Sequence, residues 1–224
     1  MQNTPCCLAA VALVASTASF AQGFVSLEEA STPQGYLASL LINEAPFPGE
    51  RGYVSCEDSK AAMLAILWVL ESRIKHIPKG YTRKNVSGVG SGDIIAVITG
   101  GTGKRQCEGF YQDDKGKAAF EPRVAERVAY LRRIANSGSK PGKFASLLNF
   151  ARGVANAYFQ DGIAGADRFA GLSIINKVEV TGRAYSWMTD KDCYHPGGNF
   201  VTITDELDGA LGGNRFFTLR KEPR

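Results

Sequence analysis

Residues 40–74 read LLINEAPFPGERGYVSCEDSKAAMLAILWVLESRI. Within this stretch Ala61 to Leu70 (AAMLAILWVL) carries no charged side chain. A helix that is apolar all round is buried all round. The segment is therefore expected to form the central helix of the fold, N-capped by Asp58 or Ser59 and ending near Ile74. Working back toward the N-terminus, Leu37, Leu40 and Leu41 fall at helical spacing. They predict a helix from about Gln34 to Asn43. Pro46 and Pro48 forbid its continuation, and a loop should run to Cys56.

This arrangement places Glu44 at the C-terminal end of an apolar helix, between Ile42 and Phe47. A helix C-terminus is the negative pole of the peptide dipoles. Dipole and desolvation together favour the protonated form of an acid placed there. A carboxylic acid that stays protonated near neutral pH can protonate a glycosidic oxygen. Glu44 is the leading catalytic candidate.

Moving outward, residues 78–92 read as loop and Asp93 as the cap of a short apolar segment, Ile94 to Ile98. The turn at residues 100–104 (GGTGK) is not a phosphate loop. That motif needs Gly and Ser or Thr where Ile98 and Arg105 stand. Val124, Val128, Leu131 and Ala135 predict a helix from Pro122 to Asn136, and residues 137–142 a turn. Phe144, Leu147, Leu148, Ala151, Val154, Ala155 and Tyr158 predict another helix from Lys143 to Gln160. After Gly171 the pattern changes. Val178–Val180, Phe200–Ile203 and Phe216–Leu219 read as short strands between Gly-rich turns. The expected class is α+β, mainly helical, in one domain with a short-stranded C-terminal quarter.

The chain has 26 Lys and Arg against 22 Asp and Glu, a net charge of +4. The basic residues are spread along the chain, so no nucleic-acid partner is expected. Met1 to Gly23 holds no charged side chain. Leu8–Ala15 is an apolar run too short to span a bilayer, which takes about 20 residues. Ser19-Phe20-Ala21 offers small residues where a signal peptidase reads. Residues 1–21 are therefore expected to be a signal peptide, the mature chain to begin at Gln22 without a membrane span, and the protein to be periplasmic or secreted. Residues 22–224 would form the single domain. Among Cys56, Cys107 and Cys193 three disulfide pairings are open. The histidines, His76 and His195, are not spaced with cysteine as in a zinc site. No metal or cofactor is expected.

In order along the chain stand Asn43-Glu44-Ala45, Gly49-Glu50, Ser72-Arg73-Ile74 closing the apolar helix, Gln106 with Phe110 nearby, and Asn214-Arg215-Phe216-Phe217. Taken together, residues 36–220 resemble the spore-cortex-lytic cell-wall hydrolase family, a branch of the lysozyme-like superfamily. The two glutamates are spaced wider than in the family, Arg215 stands for a late His, and Cys107 follows Gln106 where Phe is usual. The resemblance implies a lysozyme-like fold. It implies cleavage of the bond between N-acetylmuramic acid and N-acetylglucosamine in peptidoglycan or a related glycan, with Glu44 as general acid. Many lysozyme-like proteins cleave with one Glu and leave an anhydro sugar. Glu50 is the second candidate, as a base or as an ion-pair partner of Arg51 or Arg73. Gln106, Tyr111, Tyr185 and Trp187 are candidate substrate-binding residues, through ring stacking and amide hydrogen bonds. Trp68, Phe144 and Phe159 read as core. The alternatives are a non-catalytic envelope protein on the same scaffold, binding glycan or a partner protein, and a hydrolase using His195.

Overall fold

The computed structural model describes residues 25–100, 107–138, 142–189 and 197–223. The proposed signal peptide, Gln106, Cys193 and His195 lie outside them, as does most of the 100–104 turn. Helix and strand take up about 49% and 11%, which makes the chain a mainly helical α+β protein.

Helix α1 spans Pro33–Glu44. Thr32 caps it by accepting from the Gly35 N–H at 3.0 Å, and Pro33 tolerates the first turn because no N–H is needed there. Helix α2 spans Cys56–Lys75, one turn longer at its start than expected. Its cap is Ser55, whose hydroxyl accepts from Asp58 N–H at 3.0 Å and donates to the Asp58 carboxylate at 2.6 Å. Asp58 thus occupies the third helical position and meets the cap with both its N–H and its carboxylate. Ala61–Leu67, Val69 and Leu70 are all buried, and α2 packs against α1, α4, α6 and the strands β3 and β5 described below.

Between α2 and the next strands lie two short helices. α3 (Arg83–Ser87) forms within the stretch expected to be loop, held by a capping box between Thr82 and Asn85. α4 (Ile94–Thr99) is capped by Asp93, as expected. β1 (Phe110–Gln112) and β2 (Ala118–Phe120) make an antiparallel hairpin that apolar patterning did not predict. α5 spans Pro122–Asn136. α6 spans Lys143–Ala170 but is broken at Asp161 and Gly162, where Gly162 takes φ +61°. The expected end at Gln160 is this break. Beyond it the chain turns back, and Phe169 lies over Gly153, whose missing side chain leaves the space.

Val178–Val180 is not a strand. A 3-10 turn covers Ile174–Val178, and Glu179 sits in the left-handed region at φ 44°. Both valines are buried, so the apolar–polar–apolar alternation reflects a turn rather than a pleat. The second sheet has β6 (Asn214–Leu219) at its centre, paired antiparallel with β3 (Ser186–Met188), β4 (Phe200–Thr202) and β5 (Ala210–Leu211). Trp187 faces Phe216 in this register. β5 and β6 are joined by Gly212-Gly213 at φ +54° and +80°, the double positive φ that a two-residue hairpin requires. Among the described residues no helix is long and apolar enough to cross a membrane.

Candidate active site

Glu44 is the last residue of α1, and its surroundings come from four other parts of the chain. From β3, Trp187 Nε1 donates to the Glu44 carboxylate at 3.0 Å. From the start of β6, the Asn214 side-chain N–H2 donates to the Glu44 backbone carbonyl at 3.2 Å. The Asn214 amide orientation follows from this, because a carbonyl can only accept. From α5, Arg127 donates to the carbonyls of Ile42 at 2.5 Å and Ala45 at 3.2 Å. The fourth contributor is the loop before β1, whose Glu108 acts on the carboxyl through space and whose Cys107 lies within reach of the carboxyl's own charge.

The last turn of α1 carries no basic residue of its own, yet a helix end leaves four carbonyls without intrahelical partners. Arg127 and Asn214 supply the missing donors from elsewhere in the fold. The Glu44 side chain retains some contact with solvent, but protein surrounds its carboxyl. Burial raises its pKa above the usual carboxylate range. The hydrogen bonds from Trp187 and Asn43 and the charge of Arg127 pull the other way, and Glu108 adds to the rise. Among the described residues no cation forms a salt bridge with Glu44.

Behind Trp187 lies Arg73, 2% exposed. Its guanidinium sits 5.3 Å from the indole ring centre, and its Nε donates to the Tyr185 carbonyl at 2.7 Å. Burial lowers its pKa to about 10. Arg73 Nη1 has no hydrogen-bond partner among the described residues. The stack holds the ring that in turn holds the carboxyl. Cys107 is buried beside this cluster, and burial followed by the Glu44 charge pushes its thiol pKa upward. Cys56 and Cys107 are both free, so the pairing between them is not formed.

Glu50 pairs with neither Arg51 nor Arg73 in a salt bridge. Its carboxylate accepts from Arg127 at 2.5 Å and from the Phe47 N–H at 2.7 Å. It thus anchors the guanidinium that caps α1. Tyr185 belongs to a buried cluster with Tyr81, Val86 and Leu219, and its hydroxyl donates to the carbonyls of His76 and Gly182. Its ring is packing rather than an open stacking face. Tyr111 is half-buried on β1. Trp187 is brought to Glu44, but by its N–H and not by its ring face.

Adjoining the cluster is a groove of about 620 Å³. It is lined by Tyr53, Val54, Asp58, Leu207 and Arg215 together with Gly52, Gly212, Gly213 and Asn214, and neither Glu44 nor Trp187 is among its lining residues. Val54 and Leu207 are two of the most exposed large apolar side chains, at 72% and 47%. Asn214 touches both the groove and the Glu44 backbone. Arg127 is the site residue that the sequence did not single out, while Arg73 and Asn214 stood only as parts of the motifs behind the resemblance, with no contact to Glu44 or Trp187 expected of them. The bare end of α1 demanded a donor, but nothing local said that it would come from α5.

No family model, curated protein or solved structure matches the chain. Among the described residues no three metal-ligating side chains gather into a site.

Proposed function

We propose that this chain is a peptidoglycan glycosidase of lysozyme or lytic transglycosylase type, on a lysozyme-like fold, with Glu44 as its general acid. The observation that carries the proposal is the state of Glu44. Its carboxyl is desolvated, lies at the negative end of α1 and is fixed by one indole N–H, while Asn214 links its backbone carbonyl to the neighbouring groove. A general acid needs its proton held at working pH and its direction fixed. Burial supplies the first and Trp187 the second. The protonated Glu44 donates to the oxygen linking two sugars as the glycosidic bond breaks. The carboxylate then recovers a proton, either from an attacking water or from the 6-hydroxyl of the muramic ring as that hydroxyl closes on the anomeric carbon. The first route leaves a reducing end and the second an anhydro end. The substrate lies outside the cytoplasm, which fits the N-terminal signal-peptide pattern at residues 1–21.

The test compares the mature protein with Glu44→Gln on purified peptidoglycan, with released fragments identified by mass spectrometry. Gln keeps the acceptor for Trp187 but has no proton to give. Wild type should release muropeptides, and Glu44→Gln should lose at least ~10²-fold in kcat, the lower end of what a general acid contributes. Binding without release by both proteins would instead support the non-catalytic glycan-binding protein.

A further inference from the structure

We propose that Glu50 is a positioning residue for the Glu44 reaction, acting as the counter-charge that holds and offsets Arg127 and not as a second acid or base. This rests on the glycosidase reading and deepens it. Two needs conflict at the end of α1. The unpartnered carbonyls there need a strong donor, and a cation is the favoured one at a helix C-terminus. Arg127 meets that need with two bonds, to Ile42 and Ala45, and lays its guanidinium 5.5 Å from the Phe47 ring centre. A cation this close to Glu44 also favours ionisation of the carboxyl, which removes the proton that an acid catalyst must carry.

Glu50 resolves the conflict. Its carboxylate sits on Arg127 Nη2 and is itself oriented by the Phe47 N–H. The paired guanidinium keeps its hydrogen bonds to α1 while the Glu50 charge offsets part of its field at Glu44. The hairpin of chain from Ala45 to Glu50 makes this possible, because the turn at residues 47–50, closed by Glu50 N–H to the Phe47 carbonyl at 2.9 Å, brings the acid back to the helix end. The other groups that bear on Glu44, among the described residues, are Glu108 before β1, Trp187 on β3 and Asn43 on α1 itself, and Cys107 before β1 is the neighbour whose thiol the Glu44 charge raises. Arg73 on α2 stands behind the Trp187 ring. Arg127 is the one cation among those acting directly on the carboxyl, so the charge that Glu50 carries is matched to it.

The experiment measures pH–rate profiles on peptidoglycan for wild type, Glu50→Gln, Arg127→Met and the double variant. In parallel, the Glu44 carboxyl is titrated by 13C NMR in wild type and Glu50→Gln. Gln at 50 keeps an acceptor for both Arg127 and Phe47 N–H, so the loop is retained. Glu50→Gln should keep wild-type kcat within a few-fold at acid pH, and its alkaline limb should move down by roughly half to one pH unit. Arg127→Met, which leaves the Glu50 charge unopposed, should move the limb up, and the double variant, which has neither charge, should return it near wild type. The NMR titration should move with the limb. A Glu50→Gln enzyme that is as inactive as Glu44→Gln at every pH would overturn the proposal, because Glu50 would then be a catalytic carboxylate. An unmoved Glu44 titration would overturn it as well. If wild type itself cleaves no glycan, the NMR shift still decides the Glu50–Arg127 coupling, and the glycosidase reading alone fails. Should Arg127→Met not fold, Arg127→Lys keeps the charge, and its Glu44 titration should stay near the wild-type value.

Discussion

At the scale of single residues, Glu44 carries a cost that can be read in stability. Its folded pKa is raised above its ordinary value of 4.5 by burial. The folded state therefore binds the proton more tightly than the unfolded chain. That contribution to stability is complete below the unfolded pKa and is lost as pH rises through the folded one. Glu44→Gln carries no charge at any pH, so relative to wild type it should gain thermal stability as pH rises above 4.5 and show no such gain below it. Thermal melts of both proteins across that range check the sign. Trp187→Phe removes a hydrogen bond that favours the ionised form. It should move the alkaline limb of activity up, opposite to Glu50→Gln. The position of Glu44 was legible because Pro46 fixes where α1 must stop. Its partners were not, because Arg127 lies far along the chain and looks like an ordinary surface residue, and the late motif that holds Asn214 does not say which backbone carbonyl its amide will reach.

At the scale of elements, helices α1, α2, α4 and α5 were readable from local signals alone. Each combines apolar spacing with a cap or an N-terminal proline. The three-residue strands β1, β2 and β3 were not readable, because so short a strand is defined by its partner rather than by its own pattern. The same reason explains the error at Val178–Val180, where a left-handed Glu179 mimics alternation. The β5–β6 hairpin is the most exacting element. A Cβ on Gly212 would come within 2.2 Å of the Asp58 carbonyl and 2.8 Å of the Ala62 side chain, both on α2. Its φ of +54° already disfavours a side chain. Gly212→Ala should destabilise the protein by roughly 2–4 kcal/mol, which lowers Tm by about 5–15 °C. Differential scanning calorimetry checks this.

At the scale of the whole molecule, one long buried helix organises everything else. α2 meets α1, α3, α4 and α6 and two strands of the second sheet, so the fold class followed from a single uninterrupted apolar run. What that run could not convey is how the C-terminal sheet folds back over the start of α2 to complete the Glu44 surroundings. That closure depends on glycine turns whose geometry is permissive rather than directive. Export belongs to this scale too. Protein recovered from the extracytoplasmic fraction should have an intact mass corresponding to a chain that begins at Gln22. A recovered chain that still begins at Met1 would sink the export proposal and take the peptidoglycan reading with it.

Gly52 and Gly213 meet backbone to backbone at the base of the groove, with a Cβ on Gly213 reaching 2.6 Å from the Gly52 carbonyl. Together with Gly212 they leave that surface almost free of side chains. Side-chain truncation has nothing to remove there, since every possible substitution adds volume. Variants at Gly52 or Gly213 would register as obstruction rather than as lost contacts. The base of this groove is thus open to change only by remodelling whole turns, and diversification is confined to its rims at Val54 and Leu207.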